Sequence, residues 1–552
     1  MEGNALSAAP TLQHLAELAG ARIVNEPSTP TPVTFIGLDS QNIEPGGLFA
    51  ALPGTRVHGA KFAFDSAAGA ILTDDAGLAI IEQTSDRRPV LVVDDVRAIL
   101  GHVAAEVYGH PSRDFTLLGV TGTSGKTTTT YMLERGLSAT GCKVGLIGTT
   151  GTKIMGRDVA TELTTPEAPM LQRLFAQMRD EGVTHVVMEV SSHALMLGRV
   201  TGAEFDVAAF TNLSQDHLDF HPTMEDYFEA KALFFDPGSD LRAGRSVICV
   251  DDEWGRRMAQ RAEHPVTVAT RGEEADVTAE LLRIDDTGTQ HIRLNTTNTQ
   301  LEFDLPMPGA FNVANAALAT AVADAAGVDV TTFVQGLEQA AVPGRMERID
   351  EGQDFVAVVD YAHKPAAIAA VLETLNGQVD GRIGVAVGAG GDRDSSKRPL
   401  MGAEAAKAAD FVVVTDDNPR TEDPATIRAA VLEGARGEDT TAEIVEANSR
   451  AQAIDALVEW AQGAGVLVDD RPAQAEDTLK CMMIKVDDPR VVDDNGDPVG
   501  PQLVGVLIPG DRELDEKRLE ASLEPATFEL ASDEDFAKSD FLVKGYVGPR
   551  AL

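Results

Sequence analysis

The sequence predicts an α/β protein with layered parallel sheets, followed by a smaller α+β unit. Three observations carry this. From Phe115 onward, "FTLLGV", "KVGLIGT", "THVVMEV", "DVAAFTNL" and "RSVICVDD" are separated by helical stretches, the alternation that builds a sheet covered by helices. A second α/β block begins near Met346 with "FVAVVDYAH", "RIGVAVGAGG" and "DFVVVTDDN", three strands that each run into polar residues. After "AQAIDALVEWAQ" the texture changes to the strands "LKCMMIKV", "LVGVLIPGD" and "FLVKGYVG" and a charged helix, "DRELDEKRLEASL".

The 552 residues are enough for three or four domains. Hydrophobic residues make up 43% and aromatics only 5%, so aliphatic cores are expected. Asp and Glu number 87 against 46 Lys and Arg, a net charge of -41. That field marks a solvated acidic surface and opposes broad binding to nucleic acid or anionic membranes. An anionic substrate would need local cations to overcome it. The three cysteines, Cys142, Cys249 and Cys481, lie far apart, which indicates neither a disulfide framework nor a zinc site. The first residues lack a basic region followed by an apolar run, and no apolar stretch approaches the ~18 residues of a membrane helix. A cytoplasmic chain is expected.

Taken in order, residues 20–112 alternate short apolar runs with Gly and Pro turns; "GAILTDDAGLAIIE" and "RPVLVVDD" are expected as buried strands. "GVTGTSGKTTTTYMLERGL" then joins a strand to a helix through a glycine-rich turn. It departs from GxxxxGK[ST], because Val120 stands where that pattern has glycine. Its mechanism still holds. Gly122 and Gly125 let backbone N–H groups of Gly122, Thr123, Ser124 and Gly125 converge on phosphate oxygens at a helix N-terminus that Thr127 and Thr128 continue. Lys126 can reach β- and γ-phosphates, and the Thr127 hydroxyl can ligate Mg²⁺. The alternative is a Gly/Thr-rich turn without a ligand. Glu189 ends the strand of "VVMEVSSHAL" and is a hard oxygen donor for magnesium or a surface carboxylate. "TNLSQDHLDFH" gathers Asn212, Asp216, His217, Asp219 and His221 within ten residues, a metal or substrate cluster near a phosphate site. Lys231 in "DYFEAKALFF" is a buried, modifiable lysine or one whose head reaches solvent. The stretch "VTAELLRIDDTGTQHIRLNTTNTQLEFDLP" alternates with period two and is expected to be antiparallel.

The motifs "TGTSGKTTT", "TTPE", "MEVSSHAL", "NLSQDHLDFH", "GAFNVANAALA", "VPGRMERI", "DYAHKPAAI", "GAGGDRDSSKRPLMG" and "TDDNPRTEDP" occur in the order and spacing of the Mur ligases, over about residues 15–460. The chain most resembles the MurE type, which adds the third residue of the peptidoglycan stem peptide. The resemblance implies a three-domain fold: an N-terminal UDP-substrate domain (1–112), a central P-loop ATPase domain with a parallel sheet (113–338) and a Rossmann-like C-terminal domain (339–468). It implies ATP, two Mg²⁺ ions and an acyl-phosphate route to an amide bond, with UDP-N-acetylmuramoyl-L-alanyl-D-glutamate and meso-diaminopimelate as substrates and a monomer as the working form. Carried over by position, Ser40 matches a uridine-side contact, although Gln41 stands where the family usually has Arg. Thr164, Thr165, Ser191 and Arg199 match contacts to the UDP-linked substrate, while Leu197 replaces a glutamine found in some members. Glu189 and His217 match magnesium ligands, and Lys231 matches a lysine that becomes carbamylated. Asn312 and Asn315 match adenine-side contacts; Arg345, Asp360 and His363 match ATP-facing residues. Arg393 and the run Asp417, Asn418, Pro419 and Arg420 match the members that take diaminopimelate, where an arginine fork can grip the distal carboxylate that L-lysine lacks.

The family's Gly-Lys-Gly-His-Glu loop is replaced here by "GAGVLVDDRPAQAEDTLKCMMIKV". Residues 469–552 form the expected α+β tail. "DTLKCMMIKV", "LVGVLIPGDRELDEKRLE", "FELASDEDF" and "GYVGPRAL" resemble the editing domain of bacterial prolyl-tRNA synthetases. Lys480 and the Gly548-Pro549 loop would there help hydrolyse a mischarged tRNA. A natural fusion, a splice of two genes and an unrelated domain all account for the tail; the splice also explains the missing loop. The alternatives are an L-lysine-adding ligase, a ligase-like binder inactive for want of that loop, and a tRNA deacylase in the tail. Nucleic acid is not expected as a partner of the ligase part.

Overall fold

The computed structural model describes residues 9–54, 57–161, 163–218, 220–285, 289–340, 342, 344–349, 353, 355–377, 381–392, 394–462, 479–487, 502–509 and 527–530. The chain divides into two compact units, Met1–Ala461 and Gln462–Leu552.

The first unit opens with a five-stranded sheet. Its strands run Arg22–Val24, Val90–Val92, Ala70–Thr73, Leu48–Ala50, Ile36–Gly37 across the sheet, and only the Arg22–Val24 edge is antiparallel. Helices Leu12–Ala19 and Val96–Val107 bury Leu12, Leu15, Leu100 and Val103 against Leu48, Leu72 and Leu91. One expected strand is a helix. "AILT" is a strand, but Asp75–Ile81 winds as a helix because the Asp74 carboxylate caps Gly77 N at 2.7 Å and Leu78 and Ile81 share its buried face.

An eleven-stranded sheet follows. From Val277–Ile284 through Val266–Ala269, Arg245–Cys249, Val207–Phe210, Thr116–Thr121 and His185–Glu189 to Val144–Gly148 the strands run parallel. Antiparallel pairs extend both edges; on one of them Gln290–Asn295 and Gln300–Leu305 continue from Val277–Ile284 as the period-two pattern predicts. Alternation along Thr116–Thr121 sends Leu118 and Val120 to one face and Leu117 to the other. Helices Lys126–Ala139 and Ala310–Ala325 cover the first face with mostly aliphatic side chains. The other face corrects the expectation of aliphatic cores: Phe115, Phe175, Phe205, Phe210, Phe234 and Phe235 are concentrated there. Composition averages over the chain and is blind to such clustering.

In the last α/β module, Gly384–Val387, Phe411–Val414 and Glu443–Glu446 form a parallel sheet. The strand within "FVAVVDYAH" does not join it. Ala357–Val359 pairs antiparallel with Glu347–Ile349 in a separate ribbon, and Glu443–Glu446 supplies the third parallel strand instead. A run of β-formers announces a strand but leaves its partner unspecified.

The second unit holds an antiparallel sheet in the order Gln502–Pro509, Leu479–Asp487, Thr527–Leu530, with Lys480 opposite Ile508. The expected strand "FLVKGYVG", the helix "DRELDEKRLEASL" and the Gly548-Pro549 loop lie outside the described residues.

Candidate active site

Strand Thr116–Thr121 sits between Val207–Phe210 and His185–Glu189, with Val120 level with Glu189 and Thr121 level with Phe210. The carboxyl ends of the three strands therefore converge, the usual place for a ligand in an open α/β sheet. Gly122–Gly125 leaves that point and starts helix Lys126–Ala139. Gly125, the residue before the helix, is left-handed at φ +86° and no side chain caps the first turn, so its N–H groups are open to an anion. Neither glycine tolerates a side chain. A Cβ on Gly122 (φ +142°) would stand 1.9 Å from Thr211 Oγ1, and one on Gly125 2.4 Å from Asn315 Oδ1.

The loop is braced from the neighbouring strand end. Asn212 O accepts from Thr123 N, Asn212 Oδ1 from Ser124 N at 3.0 Å, and Ser124 O accepts from Thr211 Oγ1 and Asn212 Nδ2. Three lysines reach its carbonyls. Lys126 Nζ donates to Gly122 O and Thr123 O, both at 3.0 Å; Lys231 Nζ donates to Gly122 O at 2.9 Å; Lys364 Nζ donates to Thr123 O at 3.1 Å and pairs with Asp216 at 2.9 Å. Burial and the Lys364 charge push Lys126 down to about 8. Burial, Lys126 and Lys364 push Lys231, only 1% exposed, well below its ordinary value. The solvent-reaching alternative for Lys231 is thus excluded; its head lies over the Tyr227 ring, and the Tyr227 hydroxyl is 3.2 Å from Thr123 Oγ1.

Glu189 is 1% exposed and accepts from Thr127 Oγ1 at 2.9 Å, Thr149 N at 2.8 Å and Thr149 Oγ1 at 3.1 Å. Arg345 reaches Thr127 Oγ1 at 3.3 Å from the last module. His217, left-handed at φ +55°, lies 3.1 Å from Asp216, and burial holds it neutral by lowering it to about 3. Burial alone would raise Asp216, but the charge and hydrogen bond of Lys364 outweigh it and keep the carboxyl ionised. Among the described residues no three His, Cys, Asp or Glu side chains form a ready metal cluster. Thr127 and Glu189, 2.9 Å apart, offer the hard oxygen donors that Mg²⁺ takes while completing its shell with water and phosphate, and His217 lies instead against Asp216.

On the other side of Glu189, Thr164 Oγ1 meets Thr149 Oγ1, Thr165 Oγ1 donates to Glu189 O at 2.9 Å, and Ser191 N donates to Thr165 Oγ1. Arg199 pairs with Glu167 at 2.9 Å and donates to Thr165 O; Arg97, from the first sheet's helix, reaches the same Glu167. Ser40 lies half-buried in a turn anchored by Asp39. Asn312 and Asn315 are buried side by side, Asn315 Nδ2 donating to Asn312 Oδ1, and Thr128 is buried in the first turn of the loop helix. Asp360 accepts from Met346 N and Ala362 N, both at 2.8 Å, and burial raises its carboxyl. Burial and Lys364 lower His363 to about 4.

At the strand ends of the last module, Gly391 N donates to Asn418 O, and Arg420, left-handed at φ +51°, donates to Gly391 O. Asp417 pairs with Arg450, and a Cβ on Gly391 would stand 1.9 Å from Pro419 O. Arg393 and Asp219 lie outside the described residues. Sequence reasoning missed Lys364, Tyr227, Thr149 and Glu167. Lys364 lies inside the quoted "DYAHKPAAI", but a lysine before a proline carries no local sign of burial.

The Mur ligase middle domain model matches residues 120–323, the Mur ligase glutamate ligase domain 344–469, and the Mur ligase family catalytic domain 32–108. A Corynebacterium glutamicum UDP-N-acetylmuramoyl-L-alanyl-D-glutamate--2,6-diaminopimelate ligase is 62% identical over 446 residues, covering 79% of this chain and 86% of the relative. The chain belongs to the Mur ligase family. This Mur ligase is also 45% identical to the Streptomyces coelicolor protein of the same name, over 84% of this chain and 96% of that one. A solved structure of a UDP-N-acetylmuramoyl-L-alanyl-D-glutamate--2,6-diaminopimelate ligase aligns with TM-score 0.55 at 31% identity, covering 78% of this chain and 88% of that chain. Mycobacterium tuberculosis folylpolyglutamate synthase, 21% identical with TM-score 0.54 over 67% of this chain and 89% of that one, shares the fold. No helix among the described residues is long and apolar enough to cross a membrane.

Proposed function

We propose that this Mur ligase joins meso-diaminopimelate to UDP-N-acetylmuramoyl-L-alanyl-D-glutamate in an ATP-driven amide synthesis of peptidoglycan assembly. The observation that carries this reading is the 62% identity to a ligase of that name over 79% of the chain. The geometry supports it. The open N-terminus of helix Lys126–Ala139 and the Lys126 ammonium receive the polyphosphate, whereas the N–H groups of Thr123 and Ser124, expected on phosphate, donate to Asn212 instead; Asn312 and Asn315 face the adenine. Thr164, Thr165, Ser191 and Arg199 hold the UDP-linked peptide, with Ser40 on the uridine side. The substrate's glutamate carboxylate takes the γ-phosphoryl group, and the amine of diaminopimelate then displaces inorganic phosphate from the acyl phosphate. Two anions must meet in this step, so positive charge must be concentrated at the loop. Thr127 and Glu189 would hold Mg²⁺, which supplies part of that charge when bound. Arg345, Asp360 and His363 close the site from the last module, and Arg420 pairs with the distal carboxylate of diaminopimelate.

A lysine held neutral by burial can take up CO₂: its nitrogen forms the N–C bond and releases a proton. The depressed Lys231 supports such a carbamate, which would turn a cation into an anionic ligand for a second Mg²⁺. We assign the modules to residues 1–112, 113–338 and 339–468, with the tail at 469–552, and take the working form as a cytoplasmic monomer. Phosphate release with the UDP-linked dipeptide and diaminopimelate, measured beside L-lysine, tests the function. No release at saturating substrates would leave a binder without its loop, and a preference for lysine would defeat the role given to Arg420.

The tail carries a separate reading. Its resemblance to a prolyl-tRNA synthetase editing domain, with an antiparallel sheet that places Lys480 opposite Ile508, supports deacylation of Ala-tRNA(Pro). Hydrolysis abolished by Lys480→Ala would establish it; an inert tail would remove tRNA as a partner.

A further inference from the structure

We propose that Lys364 is an interdomain positioning residue: its buried ion pair with Asp216 locks the last module onto the phosphate loop and thereby sets Arg345, Asp360 and His363 over the nucleotide. The inference rests on the ligase reading above for its kinetic arm only.

Lys364 is fixed at both ends. Its backbone carbonyl accepts from Ala367 N at 3.1 Å and Ile368 N at 3.0 Å, starting helix Pro365–Asn376. Its side chain leaves that helix, crosses to the central module and ends 2.9 Å from Asp216 and 3.1 Å from Thr123 O. Lys364 and Asp216 are each only 7% exposed. Asp216 follows the loop whose Thr211 and Asn212 brace Ser124, so the pair ends on the phosphate-binding backbone itself.

Polar contacts between the two modules gather at the phosphate loop: Lys364 with Asp216 and Thr123 O, and Arg345 with Thr127. Ala340 and Val342, at the start of the last module, pack into the central apolar cluster, while the rest of that module gathers around its own core of Ile368, Met401, Val412 and Val414. The segment carrying Lys364 is stiff: the Asp360 carboxylate accepts from Met346 N and Ala362 N, and the Arg345 guanidinium stacks 4.5 Å from the Tyr361 ring. A pull on Lys364 therefore places Arg345, which reaches Thr127. Removing the ammonium leaves the Asp216 carboxylate buried without its partner from the last module.

The test uses the full chain with Cys142, Cys249 and Cys481 replaced by serine and nitroxides at Arg271→Cys and Glu433→Cys, both exposed positions. Pulsed electron resonance reads the distance between modules without nucleotide. With Lys364 present, one narrow distribution is expected. Lys364→Met and the polar Lys364→Gln, taken on protein that melts cooperatively, should broaden it, and Lys364→Arg should keep it narrow. Adding Asp216→Asn to Lys364→Met should broaden it no further, because both act through one pair. In turnover, Lys364→Met should lower kcat about 10²-fold by misplacing groups over the phosphates, with KM for the UDP-linked dipeptide unchanged and most of kcat restored in Lys364→Arg. A narrow distribution in Lys364→Met and Lys364→Gln would overturn the latch, and if kcat still fell, Lys364 would belong to the chemistry instead. The distance arm needs no catalysis, so an inactive wild-type chain would defeat the ligase reading while leaving the latch decided.

Discussion

Lys126 and Lys231 donate to the same carbonyl oxygen, that of Gly122, at 3.0 and 2.9 Å from two different helices. Two buried ammonium groups so placed repel each other, and burial pushes both below their ordinary values. In the proposed function Lys126 is the phosphate ligand and Lys231 the modifiable amine.

Lys126→Ala removes a cation from the transferred phosphoryl group. A fall in kcat of about 10²- to 10³-fold is expected, the usual consequence of deleting one group that stabilises the transition state. Phosphate release at saturating ATP measures it; every phosphate-loop reading shares this outcome, so retained turnover would move the nucleotide elsewhere.

If Lys231 is carbamylated, protein equilibrated with ¹³C-bicarbonate should show a carbamate carbon signal. Lys231→Arg should lack it, because the guanidinium stays protonated. A spectrum identical in both proteins would remove the second magnesium ligand.

Gly122→Ala places a methyl group 1.9 Å from Thr211 Oγ1 at a φ of +142°. Strain of about 1–3 kcal/mol is expected there, lowering the melting temperature and abolishing the stabilisation that ADP confers on the parent chain. Undiminished thermal stabilisation by ADP would contradict a loop built around that glycine.

Asp86 should contribute to acid sensitivity in the first module. Its carboxyl bonds to the Arg88 guanidinium, which also ties down the carbonyls of Ala63, Ser66 and Ala68, and Arg88 holds Asp86 below the ordinary carboxylate value despite burial. A lowered folded value means the stabilisation is present above the unfolded pKa, near 3.9, and is lost as pH falls through the folded one. Urea midpoints should fall below about pH 4 in the parent chain and flatten in Asp86→Asn. Asp86→Ala should cost roughly 3 kcal/mol at neutral pH, since it leaves a partly buried guanidinium without its partner.

Arg420→Lys keeps the charge but loses the planar fork. KM for diaminopimelate should rise about tenfold or more while KM for ATP stays put. Equal turnover of diaminopimelate by both proteins would take the distal carboxylate away from Arg420.

Much of the site was legible because it is local. The turn from Gly122 to Thr127 is one contiguous run in which each residue type answers a demand of the backbone or of a phosphate. The cluster from Asn212 to His221 was visible for the same reason. Glu167 and Thr149 were not, because each works only through a partner: Glu167 by joining Arg97 and Arg199, Thr149 by donating twice to Glu189. The strand Ala357–Val359 shows the same limit in the fold, since its residues announced a strand and left open which sheet would take it.

By itself the sequence determined the phosphate loop, the strand–helix alternation of the central sheet, and the family motifs, all set by residues close together in the chain. Only the tertiary structure decided that Lys231 is buried, that Arg345 reaches Thr127 and that Lys364 meets Asp216. Periodicity describes one element at a time. Burial and pairing across modules depend on which surfaces come to face each other, and that is settled by packing after the elements exist.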